Sequence, residues 1–132
     1  MPERYPGADV AAGRFGVSVV RLTGRWRIVA MDAWDRDAID LVEPGFIEFD
    51  DGGGQFGFVA VRGWMDCRGV ERDGRVVVEF SWAGEDDGDQ VSGRGWAASV
   101  DEATIEGHLF IHMGEESGFR AVSSTGVGRR GE

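Results

Sequence analysis

The stretch LTGRWRIVAM, residues 22–31, decides the fold of this chain. Trp26 and Ile28 fall on one side of an extended backbone, and Arg25 and Arg27 fall on the other. This alternation is typical of an antiparallel strand with one buried face and one face in water. We therefore expect residues 22–31 to form the first strand of a sheet, with Trp26 buried near one end.

Seven further segments with strand character follow, separated by short turns. They are Phe46–Phe49, Gln55–Arg62, Trp64–Val70, Arg75–Ala83, Gln90–Val100, Thr104–Met113 and Gly118–Ser123. Short consecutive connections favour an up-and-down meander, and closure of such a meander removes its two exposed edges. The sequence predicts an all-β fold: an up-and-down antiparallel barrel of about eight strands with one short helix after the first.

The helix is predicted over Asp32–Val42, where the apolar period changes. Trp34, Ala38 and Leu41 have helical spacing and form one stripe. Asp32 is the expected N-cap. The Pro-Gly pair after this segment stops the helix.

The 132 residues suit one domain. We expect a flexible arm over residues 1–14, the barrel over 15–124 and a flexible tail over 125–132. Residues 15–22 are an extra strand or an extended lead-in.

The chain carries 14 basic and 24 acidic residues, a net charge of −10. This charge disfavours nucleic acid and anionic membrane surfaces as partners. Cys67 is the single cysteine, no secretory signal is visible at the start, and no apolar run is long enough to span a membrane. These features predict a cytoplasmic protein.

With these elements in place, the chain resembles the calycins, the group of lipocalins and fatty-acid-binding proteins. Gly24-Arg25-Trp26 matches the glycine–any–tryptophan signature at the head of their first strand. The meander over residues 22–124 and its helix match their topology, and Arg120 matches a basic residue on their last strand. The resemblance implies that Arg120 lies over Trp26 as a cation–π pair, which closes the barrel with Gly24, and that the interior holds a small hydrophobic ligand.

Two sets of residues are candidates for ligand contact. Trp64 and Asp66 share one strand face with Arg68, while Met65 and Cys67 lie on the other. If the first face points inward, it lines a cavity with an aromatic wall and a charged pair. The alternative places Met65 and Cys67 in the core and the charged pair at the surface.

The second set comes from the next strand pair. Trp82 and Trp96 are expected to face each other, with Arg94 on the side of Trp96. Such a pair either contacts a ligand or stabilises the sheet by packing.

His112 is the last candidate. His108 and His112 lie on one face of a strand, but about 13 Å apart at about 3.3 Å per residue, which is too far for one zinc ion. The sequence predicts no metal site and no cofactor, and His112 is expected to be a polar residue of a pocket.

The predicted function is non-catalytic binding of a small hydrophobic or amphipathic molecule within the barrel. The alternative is a protein-interaction or regulatory module without a ligand, which includes a homodimer. A weaker hypothesis, with no motif behind it, is an enzyme that uses Asp66, Arg94, His108 and His112.

Overall fold

The computed structural model describes residues 22–124. The predicted flexible arm, the segment 15–21 and the predicted tail lie outside these residues. Eight strands and one short helix, α1 (Arg36–Ile39), make up the described chain. The strands are β1 (Gly24–Met31), β2 (Phe46–Asp50), β3 (Gly53–Phe58), β4 (Val61–Arg72), β5 (Arg75–Asp86), β6 (Asp89–Asp101), β7 (Thr104–Ile111) and β8 (Glu116–Ser123).

The strands form a closed up-and-down barrel, which confirms the predicted fold class. Each strand pairs antiparallel with the next along the chain, and β8 returns to pair with β1. Five connections are two-residue turns, and in two of them, Asp73-Gly74 and Asp87-Gly88, both residues have positive φ. Such turns match the twist of a hairpin and thereby fix the register of the strands on either side.

Alternate side chains of every strand point into the barrel and fill it. On β4, the inward positions include Met65 and Cys67, both buried, while Trp64 and Asp66 point outward. The interior centres on aromatic residues: the ring of Phe56 lies 4.9 Å from that of Trp82 and 5.8 Å from that of Phe58. The largest fully buried side chains are Phe49, Phe56, Leu22, Ile28, Ile39, Ile47, Ile105, Leu109, Val76 and Val78.

Glycine is the cross-strand partner of several inward aromatic residues. Phe56 pairs with Gly63, and a Cβ on that glycine would stand 2.4 Å from the phenyl ring. Phe119 covers Gly107 in the same way, at 2.6 Å. These missing side chains give the rings room to lie flat across the sheet, so eight strands can enclose a core this rich in phenylalanine.

Trp26 is buried at the end of the barrel where the described chain begins. Its Nε1 donates a hydrogen bond to the carbonyl oxygen of Leu22 at 2.9 Å. The predicted cation–π pair is wrong, because Arg120 pairs with Ala30 and points outward. Near β1, the guanidinium groups of Arg25 and Arg62 cover the buried ring of Phe46, at 4.0 and 5.6 Å from its centroid.

The loop between β1 and β2 covers the other end. Helix α1 has a single turn, and its N-cap is Asp35 rather than Asp32, with Oδ1 accepting from Ala38 N at 2.9 Å. Ile39 is its buried residue, whereas Leu41 is 65% exposed, so the predicted apolar stripe is wrong. A helix of four residues has no continuous face to bury.

Hydrogen bonds between loops hold this capped end together. Val59 N donates to Ile39 O at 2.9 Å, and Asp87 N donates to Ala60 O at 3.1 Å. Asp32 binds β8 instead of capping the helix: its Oδ2 accepts from Gly118 N at 3.1 Å. Among residues 22–124, no helix is long and apolar enough to cross a membrane.

Candidate ligand-binding face

Most of the candidate residues lie on the outer surface of β4–β7, which we call the outer face. Trp64 is 52% exposed there, Trp96 36% and Phe110 40%. Asp66 and Arg94 are also exposed on these strands. Because inward and outward positions alternate, the residues between them are the buried ones that fill the barrel.

The structure brings together five of the six predicted ligand-binding residues and separates the sixth. Trp64, Asp66, Arg94 and Trp96 share the outer face, and His112 is exposed directly after the end of β7. Trp82 is buried inside the barrel at 4% exposure.

The expected contact between Trp82 and Trp96 is wrong. Trp82 pairs with Gly93, and Trp96 pairs with Glu79. Arg94 does lie on the side of Trp96, as expected.

Cross-strand register arranges the outer face in rows. One row runs Asp66, Ser81, Arg94 and Phe110 across β4, β5, β6 and β7. Ser81 is the small residue of this row, so its neighbours stand above it. Together they enclose a groove of about 640 Å³, the outer groove, which is also lined by Arg68, Glu79, Trp96 and His112.

A second depression continues the outer groove toward the capped end. Its volume is about 800 Å³, and Ala83 and Ser92 form its floor between Trp64 and His112. His112 borders both depressions. With strands about 4.8 Å apart, the backbones that carry Trp64 and His112 are about 14 Å apart. The space between them suits a molecule that lies flat on the sheet.

Several polar groups of the outer groove are not used by the fold. Ser81 and Arg94 form no side-chain hydrogen bond or ion pair within residues 22–124. The closest approach of Arg68 to Asp66 is 3.9 Å, and both side chains are more than half exposed. Such a pair contributes little to stability in water. The groove therefore combines free polar groups with exposed aromatic rings.

His108 is engaged by its neighbours. Its Nε2 lies 2.9 Å from Glu116 Oε1, and its ring centroid lies 4.6 Å from that of Phe110. His112 lies after the strand end, and its backbone N donates to Ser92 O at 2.7 Å. Within the described part of the chain, no three His, Cys, Asp or Glu side chains form a group that could hold a metal ion.

Cys67 lies beneath the outer face, inside the barrel. Burial raises the pKa of its thiol to about 12, and the nearby Asp66 and Asp50 carboxylates add to the effect. A thiol with such a pKa is protonated near neutral pH and is a poor nucleophile. The chemistry of this region is therefore that of binding groups rather than of an activated sulfur.

Phe110 and Ser81 are among the groove residues that sequence reasoning missed. Both are cross-strand partners of Arg94, one on each side. The register of the β5–β6 and β6–β7 pairs would have identified them. The signal available in the sequence was a phenylalanine at a position of β7 that alternation assigns to the polar face.

Comparison of the chain with protein-family models, with curated proteins and with solved structures finds no match.

Proposed function

We propose that this protein is a non-catalytic binding protein that takes a small amphipathic molecule in the outer groove. The observation that carries the proposal is the convergence of Trp96 and Phe110 with Arg94 and Ser81 around one groove. Exposed rings provide apolar contact area, and the free guanidinium and hydroxyl groups provide directional hydrogen bonds.

The packing of the barrel favours the outer face over the interior as the place of binding. The inward positions hold Phe56, Phe80, Trp82 and Phe119, all below 6% exposure. A ligand among them would have to displace rings that already contact one another, whereas the outer groove is open without rearrangement.

The closed barrel also limits how any partner can bind. Each of the eight strands within residues 22–124 is paired on both sides, so this part of the chain offers no free edge to an added strand. Recognition must use side chains. The eight-stranded architecture is compatible with a calycin-like fold, and we propose membership of that group on the topology and the Gly24-Arg25-Trp26 signature.

A protein partner is the second candidate, because exposed tryptophan and arginine are also typical of interface hot spots. Homodimerisation through this face is the least favourable form, since each copy carries a net charge of −10. Sedimentation velocity tests it: the proposal of a small ligand expects a monomer, and a dimer that Trp96→Ala dissociates supports the protein interface.

Binding is tested with N-phenyl-1-naphthylamine, an uncharged dye whose fluorescence rises in apolar surroundings. We expect saturable binding that falls at least about fivefold in Trp96→Ala, which removes a ring, and in Ser81→Trp, which fills the groove floor. Asp51→Trp, in the exposed β2–β3 turn, is the matched control and should bind as the wild type does. Equal affinity of all four proteins would overturn the outer groove as the binding site.

A further inference from the structure

We infer that the ligand of the outer groove is an amphipathic anion, which packs its apolar part on Trp96 and pairs its acidic group with Arg94, assisted by Arg120. This inference rests on the proposed function and specifies the charge of its ligand. It starts from the arginines, because the described part of the chain uses nearly all of them in ion pairs.

The paired arginines each have a carboxylate partner in the fold: Arg25, Arg27, Arg36, Arg62, Arg68, Arg72 and Arg75. Arg94 and Arg120 have no ion pair or side-chain hydrogen bond within residues 22–124. Both are exposed. In a protein with 24 acidic residues, two unpaired guanidinium groups on one surface are unexpected.

These two arginines flank Trp96. Arg94 precedes Trp96 by two residues on β6 and shares its face. On the other side of Trp96, a depression of about 450 Å³ is lined by His108, Gly118 and Arg120. Trp96 borders this depression and the outer groove alike. A molecule lying on the indole therefore comes close to one guanidinium group or to both.

The carboxylates around Trp96 are already occupied. Glu79 pairs with Arg72, and Glu106 pairs with Arg75 at 3.2 Å. Glu116 pairs with His108, and Asp32 accepts a backbone hydrogen bond, as described above.

Asp66 is the remaining acid of the outer groove, and its nearest cation is Arg68. Ser81 stands between Asp66 and Arg94 in their row. The charged groups beside the Trp96 indole that lack an ion-pair partner are thus positive.

A guanidinium group suits this role because its planar fork donates two parallel hydrogen bonds to a carboxylate, sulfonate or phosphate oxygen pair. The net charge of −10 repels an approaching anion only through long-range electrostatics. That repulsion is screened within about 8–10 Å at physiological ionic strength, whereas the contact with Arg94 is direct.

The test compares 8-anilinonaphthalene-1-sulfonate with N-phenyl-1-naphthylamine, which has the same rings without the sulfonate. We expect the wild type to bind the sulfonate at least about fivefold more tightly. Arg94→Gln should remove most of this preference, because it lowers the affinity for the sulfonate far more than the affinity for the uncharged dye. Arg120→Gln should reduce the preference by about half, and Arg94→Lys should restore part of it.

Arg36→Gln is the control, because Arg36 is an exposed arginine on α1 that lines neither the outer groove nor the depression on the other side of Trp96. Circular dichroism of each variant verifies the fold. Equal affinities for the two dyes, both reduced by Trp96→Ala, would contradict an anionic ligand but would still support binding in the outer groove. If neither dye loses affinity in Trp96→Ala, the proposed function itself fails.

Discussion

Phe80 and Gly95 face each other across the β5–β6 pair, and the phenyl ring covers the place where a side chain at position 95 would begin. A Cβ there would stand 2.6 Å from Phe80 Cζ and 2.7 Å from the carbonyl oxygen of His108. One of these obstacles is backbone, so neither a rotamer change nor a small shift of the ring relieves both.

Gly95→Ala should therefore destabilise the barrel by about 2–3 kcal/mol through overpacking. Urea unfolding followed by circular dichroism measures it. Gln90→Ala, exposed on the same strand, is the control and should change the free energy of unfolding by less than about 0.5 kcal/mol. A Gly95→Ala variant as stable as the control would contradict the close packing of ring on glycine.

The contact between Asp40 and Arg27 should matter more than the surface ion pairs. Asp40 Oδ2 accepts from Arg27 Nη2 at 2.7 Å, and its Oδ1 accepts from Gly45 N at 2.8 Å. Both side chains are about a quarter exposed, and Arg27 Nε is buried with no hydrogen-bond partner among the described residues. Asp40→Ala leaves Arg27 Nη2 and Gly45 N without their acceptor. We therefore expect a loss of about 2 kcal/mol in the free energy of unfolding.

Glu43→Ala is the comparison for Asp40→Ala in the same urea experiment. It removes an exposed partner of Arg62 and should cost about 0–1 kcal/mol. Equal losses in the two variants would show that Asp40 does no more than an ordinary surface acid.

The five tryptophans differ in their exposure to solvent: Trp34 is partly buried against the core, and the other four fall into two classes. Trp26 and Trp82 are at most 5% exposed, whereas Trp64 and Trp96 extend into water. We expect the double variant Trp64→Phe/Trp96→Phe to lose most of the fluorescence that acrylamide quenches in the wild type. A double variant with an unchanged Stern–Volmer slope would place the two residues in the interior.

Cys67 gives the stability of the protein a pH dependence. The pKa of its thiol is about 9 in the unfolded chain, and burial raises this pKa to about 12 in the barrel. The folded state therefore favours the neutral thiol. The contribution of this thiol to the free energy of unfolding is fully present below pH 9 and is lost as the pH rises from 9 to 12.

The difference in urea midpoint between the wild type and Cys67→Ala should accordingly shrink over that range and stay constant between pH 6 and 8. A difference that does not vary up to pH 11 would rule out the raised pKa.

Alternation along the strands was enough to predict the barrel and to divide β4 into two faces. It could not say which face points inward. The two faces of β4, Trp64 with Asp66 and Met65 with Cys67, alternate equally regularly. Which face points inward depends on the side chains that the other strands contribute to the core.

The parity of the strand register explains the error at Trp82. We expected a loop over residues 84–89, but the strands continue to a two-residue turn at Asp87-Gly88. That turn sets Trp82 opposite Gly93 and Trp96 opposite Glu79. Either turn pairs even-numbered positions of one strand with odd-numbered positions of the other, so Trp82 and Trp96 fall on opposite faces of the sheet.

The pairing of β1 with β8 has a consequence for the order in which the strands can be connected. Trp26 and Ser123 are register partners, so the two ends of the described chain emerge side by side. A circular permutant that links these ends and opens the chain at Asp87-Gly88 keeps every strand pair of the barrel, because adjacency in space, and not the order of synthesis, defines the cylinder.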